Sequence, residues 1–234
     1  MIGETFRKYL EEAIGSSNAL VAFSAFDSPA SVSVRKNPFK DGMCPEGREV
    51  PWCGHGRILP QRPQFTLDPH FHAGAYYVQD SSSMFVGHAF RELLKSVEVP
   101  SGRPVRVLDL CAAPGGKTTD LAASLRGAYG DNFLLVSNEV MKARAAVLAD
   151  NVALWGDPNV AVTSDDPKAF AALEGFFDII VADVPCSGYG IIRKKPDIRY
   201  KDPDEMERLP DIQLKILCKQ AEYVKPGGVL MYST

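Results

Sequence analysis

From Pro104 onward, short β-branched and apolar runs alternate with stretches of helical character, and this alternation constrains the fold more than any other feature of the chain. The run VRVLDL precedes a helix expected from about Lys117 to Leu125. FLLVSN precedes one from Met141 to about Leu154, and NVAVT a short one near Lys168. FDIIVAD precedes a helix expected from about Pro203 to Tyr223, and GGVLMYS is the last element. Strands this uniformly apolar need cover on both faces, and intervening helices supply it, so the pattern predicts a parallel sheet with right-handed crossovers. In such sheets ligands bind at the carboxyl ends of the strands, near the point where strand order reverses.

The first hundred residues read differently. MIGETFRKYLEEAIG is expected to form an amphipathic helix with Phe6, Leu10 and Ile14 on one face. Beyond it the chain is rich in proline, glycine and loops, with few clear elements, and Asn37-Pro38-Phe39-Lys40-Asp41-Gly42 is turn chemistry. At 234 residues and 45% hydrophobic content, the chain can bury a full core and an appended domain. The expected division is a small N-terminal α+β domain over 1–70, a lead-in segment over 71–103, and an α/β Rossmann-like domain over 104–234.

No apolar run approaches the roughly 18 residues of a membrane span, and no signal-peptide pattern opens the chain. The five scattered cysteines predict free thiols in a reducing cytoplasm rather than a disulfide framework. With a net charge of −3 no global basic field is present, so a nucleic-acid partner would have to be met by a local patch. A monomer is expected.

The most informative stretch is Val107-Leu108-Asp109-Leu110-Cys111-Ala112-Ala113-Pro114-Gly115-Gly116-Lys117-Thr118-Thr119. Its small residues let backbone pass close beneath a ligand, and two glycines allow a tight turn into a helix. An ordinary strand-to-helix turn is the plainer reading. Gly116-Lys117-Thr118 imitates the end of a triphosphate-binding loop, but the glycine such a loop needs five positions earlier is Cys111. A dinucleotide site would want G-x-G-x-x-G, which is also absent. Glu139 follows the second strand, where a carboxylate accepts hydrogen bonds from ribose hydroxyls. Asp166 follows the third and suits an adenine amino group. A ligand without a pyrophosphate needs fewer glycines and tolerates Pro114, so S-adenosylmethionine fits this edge better than a dinucleotide.

Asp183-Val184-Pro185-Cys186-Ser187-Gly188 ends the fourth strand. Cys186 is either a small hydrophobe in a turn or a thiol held for chemistry. Cys218, at helical spacing with Leu214, is expected to be packing. Carbon 5 of cytosine is a poor nucleophile until a thiolate adds to carbon 6; the resulting enamine can attack a sulfonium methyl group, and loss of the carbon-5 proton then expels the thiolate. An acid near the base, here Asp183, would stabilise charge at ring nitrogen 3.

On Leu108 through Thr118, Glu139, Asp166, Asp183 through Gly188 and Tyr232-Ser233-Thr234, the chain resembles the Sun/nucleolar-protein family of RNA 5-methylcytosine methyltransferases. Phe71 through Met84 resembles the family's lead-in, and Val32-Ser33-Val34-Arg35-Lys36-Asn37-Pro38 its RNA-side domain. Up to about residue 180 the likeness is to the larger bacterial branch that modifies ribosomal RNA; from Ile191 through Tyr200 it is to another ribosomal-RNA branch. The resemblance implies that Cys111, Ala112, Ala113, Pro114, Gly115, Gly116, Lys117, Glu139, Asp166 and Asp183 hold S-adenosylmethionine. It also implies that Cys186 helps release the product, while the attacking cysteine follows the Ser-Thr of the fifth strand. That position lies just past Thr234, so this stretch by itself is expected to bind cofactor with little methylation. Cys186 as the nucleophile, and a cofactor- and RNA-binding module without turnover, are the alternatives. The implied substrate is RNA, ribosomal first and transfer RNA second.

Arg193, Lys194, Lys195, Arg199 and Lys201 form the densest basic cluster. A solvated loop is the plain reading, and phosphate contact the functional one. Cys44, Cys53, His55, His70 and His72 lack the spacing of a zinc site, and no metal is expected.

Overall fold

The computed structural model describes residues 4–195, 197–198 and 207–234. They divide into two units, one made of 1–30 with 185–215 and a larger one of 31–184 with 216–234.

In the larger unit, β5 (Val105–Asp109), β6 (Phe133–Asn138), β7 (Val160–Thr163), β8 (Phe177–Asp183) and β9 (Val224–Ser233) form one sheet in the order β7-β6-β5-β8-β9, every described pairing parallel. The period-two alternation of β5 explains how the sheet is held. Val105 and Val107 enter a core with Phe90, Leu121, Leu125 and Ile179, while Leu108 enters one on the opposite face with Phe177, Ile180 and Tyr223. Helices α5 (Gly116–Tyr129) and α6 (Lys142–Trp155) connect the strands on one side of β5, and the chain then crosses to β8 on the other. Strand order therefore reverses between β5 and β8, the location where α/β sheets open a ligand crevice.

A second, antiparallel sheet, β2-β3-β1-β4, is built from β1 (Val32–Lys36), β2 (Arg48–Val50), β3 (Cys53–Leu59) and β4 (Tyr76–Val78). The segments expected as 1–70 and 71–103 both contribute to it, β4 coming from the second. Around it lie α3 (Pro69–His72) and α4 (Met84–Leu94). This region is thus more ordered than the loop-rich reading of the sequence. Its strands are mostly short, and β3 carries Gly54 and Gly56, so strand propensity is weak and packing sets the pairing. A Cβ on Gly56 would come within 2.8 Å of Met84 Sδ and Val50 Cγ2, so only glycine lets β3 lie against α4. The turn expected at Asn37 is present, with the Phe39 N–H donating to Asn37 Oδ1 at 3.1 Å.

In the smaller unit, α1 (Glu4–Ile14) matches the expected amphipathic helix and is followed by α2 (Ser16–Phe26). Phe6 stacks on Tyr189, with ring centroids 4.0 Å apart and 7° between planes. Helix α7 (Leu209–Ala221), whose residues from Ile216 on belong to the larger unit, corrects one expectation: Cys218 is exposed and Leu214 is 60% exposed. The stripe that turns inward on α7 is Leu209, Gln213, Ile216, Leu217 and Gln220, and Leu214 and Cys218 lie off it. Among the described residues no helix is long and apolar enough to cross a membrane.

Candidate active site

The carboxyl edge of the parallel sheet gathers the end of β5, the following glycine turn, Glu139 after β6, Asp166 after β7, and Asp183 at the end of β8. Gly115 has φ +108°, a left-handed conformation that L side chains rarely adopt, and a Cβ there would lie 3.2 Å from Leu148 Cδ1. The turn it makes delivers Gly116 as the first residue of α5, so the unpaired N–H groups of a helix start open at this edge. Residues distant in sequence brace the turn. Asn151 Nδ2 donates to Pro114 O at 2.7 Å, Tyr77 O–H to the same oxygen at 3.3 Å, and Arg144 Nη2 to Ala113 O at 2.9 Å. Ala112 N–H donates to Asn138 O at 3.0 Å, tying the turn to β6.

Glu139 is 3% exposed. Its Oε1 accepts from Met141 N–H at 3.0 Å, and its Oε2 lies 3.0 Å from Arg144 Nη1. Asp183 is partly exposed: its Oδ2 meets Lys117 Nζ at 2.7 Å and its Oδ1 accepts from Ser233 Oγ at 2.8 Å. Asp166 is exposed and caps the short helix Pro167–Leu173, accepting from Lys168 N–H at 2.8 Å.

Two further groups set the electrostatics. Asp109 is 1% exposed, with Oδ2 accepting from Thr118 Oγ1 at 2.8 Å and Oδ1 lacking any hydrogen-bond partner among the described residues. Burial pushes its carboxyl up to about 7; the nearby carboxylates Asp183 and Glu139 add to the rise, and Thr118 and Lys117 oppose it. Burial likewise pushes the Cys111 thiol up to about 12, reinforced by Asp109, Glu139 and Asp183. A thiol raised this far stays protonated near neutral pH, which argues against Cys111 as the attacking group.

Of the remaining sequence-derived residues, Cys186, Arg193, Lys194 and Lys195 lie in the smaller unit. Cys186 is exposed. Arg193 donates to the backbone carbonyls of Ser28, at 3.2 Å, and Pro29. Lys194 and Lys195 are exposed, whereas Arg199 and Lys201 lie outside the described residues. Reading the sequence alone missed Arg144, Asn151 and Tyr77, which brace the loop from α6 and β4, and Ser233 behind Asp183. The helical offset from Glu139 to Arg144 was a usable signal, Tyr77 and Ser233 lie in segments that carry the family resemblance without showing what they touch, and nothing local marks Asn151. Among the described residues, no three His, Cys, Asp or Glu side chains are grouped to hold a metal.

A parallel sheet of this order, with a glycine turn after β5 and acids at the next strand ends, defines a Rossmann-like methyltransferase fold joined to a small N-terminal sheet domain. Residues 100–234 match the family described as 16S rRNA methyltransferase RsmB/F, and residues 2–81 match the N-terminal domain of 16S rRNA methyltransferase RsmF. The chain belongs to the 16S rRNA methyltransferase RsmB/F family. Ribosomal RNA small subunit methyltransferase F of Serratia proteamaculans is 37% identical over 191 residues, covering 79% of this chain and 37% of that protein. Its namesake in Salmonella paratyphi B is 31% identical over 249 residues, covering 99% of this chain and 50% of the relative. The chain thus spans half or less of the length of these relatives. Among solved structures, a methyltransferase homolog protein from Pyrococcus horikoshii superimposes with a TM-score of 0.76 at 26% identity, over 98% of this chain and 72% of that one. NSun6 from the same organism, solved with SFG, gives a TM-score of 0.77 over 98% and 82% of the chains; at 16% identity it speaks for the fold alone.

Proposed function

We infer that this chain holds S-adenosylmethionine at the carboxyl edge of its parallel sheet and serves methylation of cytosine carbon 5 in RNA, with ribosomal RNA the first candidate substrate. The observation that carries this reading is the glycine turn opening α5 beside a buried glutamate at the end of β6. The chemistry of the donors fits the cofactor. The unpartnered Oδ1 of buried Asp109, the ammonium of Lys117 and the helix start can receive a group bearing both an ammonium and a carboxylate. Glu139 offers a carboxylate, fixed by Arg144, to a sugar diol, and Asp166 offers one to an amino group. When bound, the cofactor supplies an electrophilic methyl group.

The chain's own residues would do the rest. Asp183, held by Lys117 and Ser233, stabilises charge at ring nitrogen 3 while a thiolate adds to carbon 6. Cys186, exposed where Cys111 is shielded, is the thiol available to take part in product release. Cys111 shapes the pocket wall. Arg193, Lys194 and Lys195 are assigned to RNA backbone.

Calorimetry with S-adenosylmethionine, its demethylated product and ATP tests the cofactor assignment. Binding of the first two is expected; heat from ATP alone would end the reading. In a form that methylates RNA, Cys186→Ala is expected to leave a persistent covalent RNA adduct. Loss of the adduct would make Cys186 the attacker.

A further inference from the structure

The larger unit contains a second concavity that the methyl-transfer site does not use. A cavity of about 630 Å³ is lined by residues of β3, α4 and α5, within the size range of small-molecule sites. Gly127, one of its lining residues, lies eleven positions along α5 from Gly116, about 16 Å down the helix axis from the glycine turn. The short side chains of α5 at this end leave the space open.

The charges around the cavity are unbalanced. Asp120 is shared by two guanidiniums, with Arg35 Nε at 3.7 Å from Oδ2 and Arg91 Nη1 at 3.1 Å from Oδ1. The Arg35 side chain is 2% exposed and that of Asp120 4% exposed, whereas Arg91 is 35% exposed, so the lining holds two guanidiniums to one carboxylate with Arg91 the one a ligand can reach. Enclosed charge is costly unless paired, and burial accordingly pushes the Arg35 pKa down even with Asp120 beside it. Lys95 adds an ammonium to the lining, 2.8 Å from Glu92. Apolar ring surface is present too: Phe39, 55% exposed, and Tyr129 both line the space.

An anion with a flat aromatic part matches this lining, the anion completing the Arg35–Asp120–Arg91 cluster and the ring lying on Phe39. We propose that the cavity binds a nucleoside phosphate, either free or as one residue of an RNA strand. The assignment stands independently of the methyl-transfer reading, since no residue of the glycine turn, nor Glu139 or Asp183, lines the cavity.

Gly127→Leu is the decisive variant. A Cβ at Gly127 meets nothing within 4 Å, and the position is helical, so the substitution fills the space without disturbing α5. Arg91→Met is the companion, because it leaves Arg35 and Asp120 as a balanced pair. Binding of AMP, CMP, inorganic phosphate and a fluorescently labelled single-stranded oligoribonucleotide is measured by calorimetry and anisotropy on the wild-type chain and both variants. Each variant is expected to weaken nucleotide or oligonucleotide binding by about tenfold or more while S-adenosylmethionine binding holds; the melting temperature is expected to hold in Gly127→Leu and to fall in Arg91→Met, which removes the hydrogen bond to buried Asp120. Preference for the oligonucleotide identifies an RNA residue as the ligand, and equal affinity for AMP or CMP identifies a free nucleotide. Binding of neither, equal binding of inorganic phosphate, or indifference to Gly127→Leu overturns the proposal.

Discussion

Asp109 offers a sharp quantitative test of how this edge is built. Its carboxyl moves from an ordinary 3.8 to about 7 on burial, so the folded state holds a proton that the unfolded chain has released. The sign follows. A pKa raised in the folded state contributes stability that is complete below the unfolded value and is lost as pH rises through the folded value. Integrating between those two values, the wild-type chain loses about 2.5 kcal/mol from this group between pH 5 and pH 8. Asp109→Asn keeps the shape and still accepts the Thr118 hydroxyl, but has nothing to titrate. The variant is therefore expected to gain about 2.5 kcal/mol on the wild type between pH 5 and pH 8. Urea unfolding at several pH values reads this out, and contributions from groups remote from Asp109 cancel in the difference. A wild-type-minus-variant difference that stays flat with pH would refute the argument that Asp109 is buried as a neutral acid.

Other expectations follow from the same contacts. Asp178, 1% exposed, is met by Arg103 Nη1 at 2.7 Å, Lys225 Nζ at 2.6 Å and Arg106 N–H at 2.9 Å. Asp178→Ala is expected to cost roughly 2–3 kcal/mol in urea titrations, less than a fully buried pair because Arg103 and Lys225 can turn to water. Burial alone would raise the Asp178 pKa, but its hydrogen bonds hold the carboxyl well below the usual range, so its contribution is present above the ordinary carboxylate pKa and fades as pH falls. Gly115→Ala forces a side chain into left-handed backbone against Leu148 and is expected to lower stability by about 1–3 kcal/mol. It should also abolish measurable S-adenosylmethionine binding; calorimetry showing wild-type affinity would separate the turn from the cofactor. Lys194→Glu with Lys195→Glu should weaken RNA binding and flatten its salt dependence, and an unchanged salt slope would remove both lysines from the interface.

Much of the parallel sheet was legible because its signals are local. Uninterrupted apolar runs such as Ile179 through Ala182 are what a strand buried on both faces requires, and β6 occupies the predicted residues Phe133–Asn138. Glu139 and Asp183 could be assigned to the functional edge because a strand's last residue fixes where the next side chain emerges. Legibility failed where stability is not local. The antiparallel sheet is made of strands as short as Tyr76–Val78, whose pairing with β1 rests on contacts forty residues apart. Cys218 was misplaced because helical spacing names a face without saying which face turns inward.

The amino-acid order by itself determined the alternating strands and helices, the glycine turn and the acids that follow three strands, since each depends on backbone preference and side-chain period over a few residues. Tertiary structure decided the rest. It set Arg144, Asn151 and Tyr77 around the turn, raised the pKa of Asp109 by enclosing it, gave Arg193 two backbone carbonyls to meet, and left Arg35 and Arg91 sharing one carboxylate. Burial and long-range contact govern charge state and hydrogen-bond partners, and neither is a property of any short stretch of chain.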